Sequence, residues 1–142
     1  MPTVVGTYTL EVFPVTTGGS FAVDLSFGSG GVADVSPPSV SVVSPVNWSS
    51  VSVPVVVEGS ASDDVGVAGV SLEIYDRDSG LWWNGSGWQV ARTGVDALLA
   101  GGDWSYSFDP GSPASQPYWV TVRSFDAAGN PSPYAYTNFT IE

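Results

Sequence analysis

The segment Tyr118-Trp119-Val120-Thr121-Val122-Arg123 decides the fold class of this chain. Every second residue of the segment is Tyr or Val, and the residues between them differ in size and polarity. This period of two is typical of a β-strand with one face in the core and one face toward solvent. The segment Val70-Ser71-Leu72-Glu73-Ile74-Tyr75 has the same alternation, and so has the series Val53, Val55 and Val57.

Short β-rich runs separated by Gly, Pro, Ser and Asp continue on both sides of this segment. Beyond residue 37 they predict seven strands, near 39–44, 51–59, 66–76, 88–93, 103–109, 117–126 and 133–141. Seven strands in about a hundred residues are typical of an immunoglobulin-like antiparallel β-sandwich. Tyr118 has a placement compatible with a tyrosine corner, and Val55 or Val57 with Val120 is expected to fill the centre of the core. The best helical candidate is Val95–Ala100, a turn or two that ends at Gly101-Gly102.

The N-terminal part has a different organisation. Segments Val4–Phe13 and Ser20–Phe27 each have one apolar face and predict a β-hairpin. Ser36-Pro37-Pro38-Ser39 reads as a linker, because adjacent prolines cannot lie in a central strand. We therefore divide the chain into a hairpin segment with its linker, residues 1–36, and a sandwich, residues 37–142. The hairpin needs cover from the rest of the chain, from another domain, or from a second copy through strand addition.

The composition excludes several function classes. The 142 residues include no His, no Cys and no Lys, so a zinc site, a thiol nucleophile and a Ser-His-Asp triad are excluded. Arg77, Arg92 and Arg123 are the only basic side chains in a chain of net charge −11, which disfavours nucleic acid and anionic membranes and favours divalent cations. No apolar run is long enough to span a bilayer. Met1 leads directly into strand-like sequence without a signal peptide, so we expect the native protein to begin upstream.

Pro38 to Glu142 resembles the bacterial and archaeal Ig-like repeats of large adhesins and of the C-terminal ends of secreted proteases. The resemblance rests on Ser44-Pro45, on Gly59–Val67 and on Val122–Asn130, with a Trp-rich insertion at Leu81–Trp88. It implies a spacer or adhesive module without enzymatic activity, located outside the cell or on its surface. Residues 1–28 resemble the closing strands of a pre-peptidase C-terminal domain, through Gly6-Thr7-Tyr8-Thr9-Leu10 and Gly19-Ser20-Phe21-Ala22-Val23.

The first candidate site is a cation site. Asp63 and Asp64 follow the second predicted strand of the sandwich, and Asp126 and Asn130 follow the sixth. In an immunoglobulin topology these two loops emerge at the same end, so their oxygen atoms could converge on Ca²⁺. Alternatively, the same Asp and Asn side chains cap turns. A catalytic pair of carboxylates would need a cleft that the sequence does not predict, so no enzyme is expected.

The second candidate site is aromatic. Trp82, Trp83 and Trp88 lie in a Gly-rich stretch and could present rings to a sugar or to a protein partner. Alternatively, the three rings cover an otherwise bare sheet face. Sequons at Asn47, Asn84 and Asn138 would permit glycosylation in a host that performs it.

The sequence thus predicts a non-catalytic extracellular module that acts as a spacer or adhesion unit, with calcium as a candidate stiffening ion. The alternatives are a carbohydrate-binding module that accompanies a secreted hydrolase, and a filament subunit that assembles by β-strand addition. The expected partners are neighbouring domains of the parent chain, glycans or other surface proteins, and further copies that associate through the N-terminal hairpin.

Overall fold

The computed structural model describes residues 32–111 and 116–142. The hairpin predicted at residues 4–27, and the resemblance of residues 1–28 to a pre-peptidase domain, lie outside the described residues. Within the described ranges, no helix is long and apolar enough to cross a membrane.

The described residues form eleven strands. In chain order they are β1 (Ser39–Ser44), β2 (Ser49–Val51), β3 (Val55–Ser62), β4 (Val67–Asp76), β5 (Leu81–Trp83), β6 (Trp88–Gln89), β7 (Val95–Asp96), β8 (Leu98–Ala100), β9 (Asp103–Phe108), β10 (Gln116–Asp126) and β11 (Ala135–Ile141).

These strands make two sheets. The first sheet has the order β1-β3-β9-β8, and the second has the order β2-β11-β10-β4-β5-β6, with β7 paired to β4. All pairs are antiparallel except β11 with β2. The chain passes from the first sheet to the second between β3 and β4 and again between β9 and β10, as it does in immunoglobulin-like folds. The predicted all-β, immunoglobulin-like sandwich is confirmed.

Three of the predicted elements differ from the structure. The strand predicted at 88–93 ends at Gln89, as β6 (Trp88–Gln89). The strand predicted at 51–59 is divided into β2 and β3, because Pro54 has no N–H to donate to a strand ladder. The helical prediction for Val95–Ala100 is wrong. Val95 instead pairs with Leu72 of β4, and Leu98–Ala100 forms an antiparallel pair with β9. Gly101 and Gly102 close that hairpin with φ angles of 62° and 99°, which glycine adopts without a steric cost.

The core lies between the sheets and is filled by the inward residues of the long strands. Its largest fully buried members come from β9, β10 and β11: Trp104, Phe108, Tyr118 and Phe139. Val57 and Val120 are also fully buried, as the alternation predicts. Tyr118 donates its hydroxyl to Oε1 of Gln116 at 3.0 Å, and burial together with Asp76 and Asp78 raises its pKa to about 12. Tyr118 is therefore a neutral core residue anchored to its own strand.

The β3–β4 loop and the β10–β11 loop lie at the same end of the sandwich. Their positions follow from the register of β4 and β10, which places Asp126 opposite Val67, the first residue of β4. Asp63 and Asp64 lie in the short loop that leads into Val67. The segment 32–38, which precedes β1, reaches the same end, since the side-chain amide of Asn130 donates to the backbone carbonyl of Asp34 at 2.8 Å. We call this end the entry pole.

Candidate cation site and aromatic face

Three carboxylates meet at the entry pole. Asp34, Asp63 and Asp64 each place one oxygen so that these oxygens lie within 4.8 Å of one another. Asp34 lies on the segment before β1, whereas Asp63 and Asp64 lie in the β3–β4 loop. The sequence analysis missed Asp34 because it assigned residues 1–36 to a hairpin and linker. An acidic residue directly before the Ser36-Pro37-Pro38 stretch was the available signal.

Local hydrogen bonds hold Asp34 and Asp63 in place. One oxygen of Asp63, Oδ2, accepts hydrogen bonds from the backbone N–H groups of Val65 and Gly66, at 3.0 and 2.9 Å. Likewise, Oδ1 of Asp34 accepts from the N–H of Ser36 at 2.9 Å. The second oxygen of each carboxylate, Oδ2 of Asp34 and Oδ1 of Asp63, is buried and has no hydrogen-bond partner among the described residues. A buried carboxylate oxygen without a donor is unfavourable, and a neighbouring carboxylate adds repulsion.

Asp126 and Asn130 form hydrogen bonds with each other at this pole and do not join the three carboxylates. The buried Asp126 carboxylate accepts the backbone N–H of Asn130 at 2.8 Å and its side-chain amide at 2.7 Å. Its oxygens are thus used inside the β10–β11 loop, which is the turn-capping alternative of the sequence analysis. Asn130 joins that loop to the cluster through its hydrogen bond to the carbonyl of Asp34. The structure therefore brings all four predicted residues to one pole but puts Asp34, not Asp126, beside Asp63 and Asp64.

The hydrogen bonds of Asp126 predict a pH dependence of stability. Burial acts to raise the pKa of Asp126, but hydrogen bonds from Asn130, Ala128 and Gly129 together hold it below the ordinary value of 3.8. The folded protein then binds this proton less tightly than the unfolded chain. The stabilisation is present above the unfolded pKa and is lost as the pH falls through the folded pKa.

We therefore expect Asp126→Asn to be less stable than the wild type at neutral pH and to lose less stability on acidification. Urea unfolding between about pH 6 and about pH 3 measures both effects. Asp96→Asn is the control, because Asp96 is exposed and makes no side-chain hydrogen bond in the described structure. If the free energy of unfolding fell equally with pH in the wild type and in Asp126→Asn, the lowered pKa could not be assigned to Asp126.

The three tryptophans of the aromatic prediction lie on two different sides of the second sheet. Trp83 is 8% exposed, donates Nε1–H to the hydroxyl of Tyr106 at 3.0 Å, and packs edge-on against Phe108. Trp88 packs against Phe108 and stacks on Tyr118 at 5.9 Å. Both rings belong to the core, since consecutive side chains of a strand point to opposite faces and these two point inward. We assign them to packing rather than to ligand binding.

Trp82 alone of the three lies on the outer face. It is paired with Tyr75 of β4, and their ring centroids are 4.7 Å apart. Tyr75 in turn contacts Trp119 of β10 at 6.2 Å. Trp119 is 44% exposed, and Trp48, which lies just before β2, is 71% exposed. Trp48 and Trp119 were not assigned to a surface from the sequence, because only the sheet register places them on the same face as Trp82.

Comparison with known proteins identifies a family and one solved structure to which the chain is similar. Residues 38–122 match the family described as Bacterial Ig domain. A solved structure with a similar fold is CopC from Methylosinus trichosporium OB3b, with 20% sequence identity and a TM-score of 0.48. The similarity covers 73% of this chain and 94% of CopC. No curated protein matches the chain in sequence.

Proposed function

Because this chain belongs to the bacterial Ig domain family, we propose that it is a non-catalytic module that spaces or presents other parts of a larger exported protein. We further propose that calcium stiffens its entry pole. One observation carries the calcium proposal: Asp34, Asp63 and Asp64 converge, and two of their buried oxygens have no donor.

The donor set is suited to calcium in particular. Ca²⁺ binds carboxylate and carbonyl oxygens in flexible geometry, whereas soft metals prefer the thiol and imidazole groups that this chain lacks. The three carboxylates and the net charge of −11 also favour a cation over an anion at the entry pole. Asp34 and Asp63 would each contribute the oxygen that makes no hydrogen bond, and the exposed Asp64 would complete the carboxylate set.

The position of the cluster makes the ion a mechanical element. Asp34 belongs to the segment through which the chain enters the sandwich, and Asp63 and Asp64 belong to the sandwich itself. An ion held by both would fix the direction of the entering segment relative to the two sheets. Without the ion, carboxylate repulsion opposes the hydrogen bond between Asn130 and Asp34. A defined entry direction is what a spacer between domains requires.

We expect calcium to raise the melting temperature of the wild type and EDTA to lower it again. A ligand that binds only the native state at about 100 times its dissociation constant contributes about 2.7 kcal/mol, which for a domain of this size is a shift of several degrees. Asp63→Asn and Asp34→Asn should remove most of the shift. Differential scanning calorimetry with calcium, magnesium or EDTA measures it.

Asp96→Asn makes the same change of charge away from the pole and should keep the full calcium response. Hydrogen exchange of residues 32–38 provides a second measurement, because calcium should slow exchange there more than in β4 or β10. Identical melting curves in calcium and EDTA would refute the calcium site and leave the spacer proposal without its stiffening element. The strand-addition alternative concerns residues 4–27 and stays a prediction.

A further inference from the structure

The outer face of the second sheet carries a single row of side chains that crosses six strands. The strand register places Asn138 opposite Trp119, Trp119 opposite Tyr75, Tyr75 opposite Trp82, and Trp82 opposite Gln89. At the other end, Trp48 donates its backbone N–H to the carbonyl of Asn138 and so extends the row by one strand. We call Trp48, Asn138, Trp119, Tyr75, Trp82 and Gln89 the outer row. At about 4.8 Å per strand it is about 24 Å long.

Two aromatic rings of the outer row, those of Trp48 and Trp119, are accessible to solvent, although large aromatic side chains are usually buried. Trp48 is 71% exposed and Trp119 is 44% exposed, and together they line a recess of about 40 Å³ with Arg77. On its other side Trp119 borders a shallow apolar cleft of about 250 Å³ with Tyr136 and Thr121. Neighbouring large apolar groups at the surface of a soluble domain mark an interaction site more often than scattered ones do.

The backbone conformation of Trp48 is unusual for a bulky residue. Its φ angle of 67° lies in the left-handed region, and it is the one non-glycine residue with positive φ among the described residues. A bulky residue in this conformation costs free energy and is characteristic of ligand sites. Asn138 is also held in place, since Oδ1 of Asn47 accepts hydrogen bonds from its backbone N–H at 2.9 Å and from its side-chain amide at 3.1 Å.

The cations of the chain are concentrated at this face. The guanidinium of Arg77 lies 4.6 Å from the ring centroid of Trp119, and that of Arg92 lies 5.3 Å from Trp82. Arg123, the third, lies over Tyr134 at 4.5 Å on the same face. Arg92 is paired with Glu73, whereas Arg77 makes no ion pair with any described residue. No residue of the outer row is acidic. Of the neighbouring carboxylates, Glu73 is paired with Arg92, and the buried Asp76 accepts hydrogen bonds from Asp78 and Ser79, so Asp78 is the remaining negative charge next to Arg77 in sequence.

We propose that the outer row binds an extended acidic polysaccharide, with sugar rings stacked on the exposed Trp48 and Trp119 and a sugar carboxylate bound by Arg77. The C–H face of a pyranose carries partial positive charge and packs on the negative face of an aromatic ring. The amides of Asn138 and Gln89 each donate one N–H within the protein and keep a second N–H and an oxygen lone pair for hydroxyl groups. Arg77 supplies a planar, doubly donating partner for a carboxylate.

The charge distribution distinguishes the acidic polymer from a neutral one. A neutral sugar offers only hydroxyl groups, which an amide binds as well as a guanidinium does. A sugar carboxylate, in contrast, gains a charged partner in Arg77, which makes no ion pair with any described residue. Repulsion by the net negative chain is short-ranged, because the Debye length at physiological ionic strength is about 8 Å. The acidic cluster at the entry pole is far away, since Val67 and Tyr75 are eight residues apart along β4, which corresponds to about 26 Å.

A protein ligand fits this face less well. Four of its six residues lie on strands that are paired on both sides, from β11 to β5, and the edge strands β2 and β6 are only three and two residues long, which is too short for strand addition. The recess beside Trp48 is too small for a large anchoring side chain, and the cleft beside Tyr136 is shallow, whereas deeply buried anchors dominate protein interfaces. A shallow row of four aromatic rings with amides at Asn138 and Gln89 fits a polymer of repeated sugar units instead.

Affinity electrophoresis and isothermal titration calorimetry of the full chain test the proposal with polygalacturonate and alginate as acidic probes and xylan as the neutral probe. EDTA is present throughout, so that calcium does not bridge the polymer to the entry pole. We expect binding of an acidic polymer, weakened about ten-fold or more by Trp119→Ala and by Trp48→Ala, because each removes a stacking ring. Arg77→Gln should weaken acidic binding and reduce its dependence on salt.

Tyr134→Ala is the matched control, since Tyr134 is an exposed aromatic residue on the same face that lies outside the outer row. Asp63→Asn should also bind normally, which separates this proposal from the calcium site. Equal affinity for xylan and the acidic polymers would overturn the acidic assignment. No binding to any of the three polymers, or full binding by Trp119→Ala, would overturn the outer row as a polysaccharide site.

Discussion

Phe108→Ala is expected to lower the free energy of unfolding by about 3–5 kcal/mol, the usual cost of removing a fully buried Phe. Phe108 is 0% exposed at the end of β9, and its ring meets Trp83, Trp88 and Tyr118 at centroid distances of 5.3, 5.9 and 5.4 Å. These rings link the first sheet to the hairpin β5–β6 and to β10. Because a rigid cluster of aromatic rings cannot collapse easily, the truncation leaves a cavity between the sheets.

Urea unfolding followed by tryptophan fluorescence measures this loss. Tyr136→Ala serves as the control, since it removes an aromatic ring that is 66% exposed and should change stability by no more than about 0.5 kcal/mol. A lower midpoint with an unchanged denaturant slope would locate the effect in the native core. If Phe108→Ala cost as little as Tyr136→Ala, the aromatic cluster would not hold the sheets together.

Gly59→Ala is expected to cost about 1–3 kcal/mol, although it adds only one methyl group to a residue in the middle of β3. A Cβ at Gly59 would overlap the backbone carbonyl oxygen of Ser41 and would lie 2.8 Å from Cζ2 of Trp104. The carbonyl belongs to the paired strand β1 and cannot rotate away. The substitution must therefore separate β1 from β3 or displace the buried Trp104 ring.

Gly69→Ala is the matched control in β4, because an added Cβ there meets no atom within 4 Å. This variant should be as stable as the wild type or slightly more stable, by up to about 1 kcal/mol, since alanine restricts the unfolded chain. Near-ultraviolet circular dichroism should change for Gly59→Ala and not for Gly69→Ala, because Trp104 is the ring that moves. Equal stability of the two variants would show that β1 shifts without cost.

The sequence was most informative where burial alone determines structure. The alternation in 118–123 and in 70–75 predicted β10 and β4 nearly to their ends, because a strand with one buried face must have a period of two. Residue pattern alone gave the wrong result at 95–100, because an apolar run shorter than two helical turns is compatible with a helix and with a strand. Only the pairing partners of Val95 and Leu98 resolved that ambiguity.

The candidate site was predictable only in part for a related reason. Asp63, Asp64, Asp126 and Asn130 could be placed at one end from the topology, because the loops after the second and the sixth strand of an immunoglobulin-like sandwich emerge at the same pole. Their individual roles could not be deduced, since hydrogen-bond geometry decides whether a carboxylate caps a turn or faces a neighbour. Asp34 was missed because its partners are separated from it by about thirty residues of sequence.

By itself, the sequence determined the all-β class, the sandwich with its buried valines, the lack of thiol and imidazole side chains, and the net negative charge. These properties depend on residue types and on a local period, which are visible in one dimension. The tertiary structure decided which tryptophans are buried, which carboxylates meet, and that Trp48, Trp119 and Trp82 lie in one row. Those relations depend on strand register, where a shift of one residue exchanges the two faces, and register is set by contacts between distant parts of the chain.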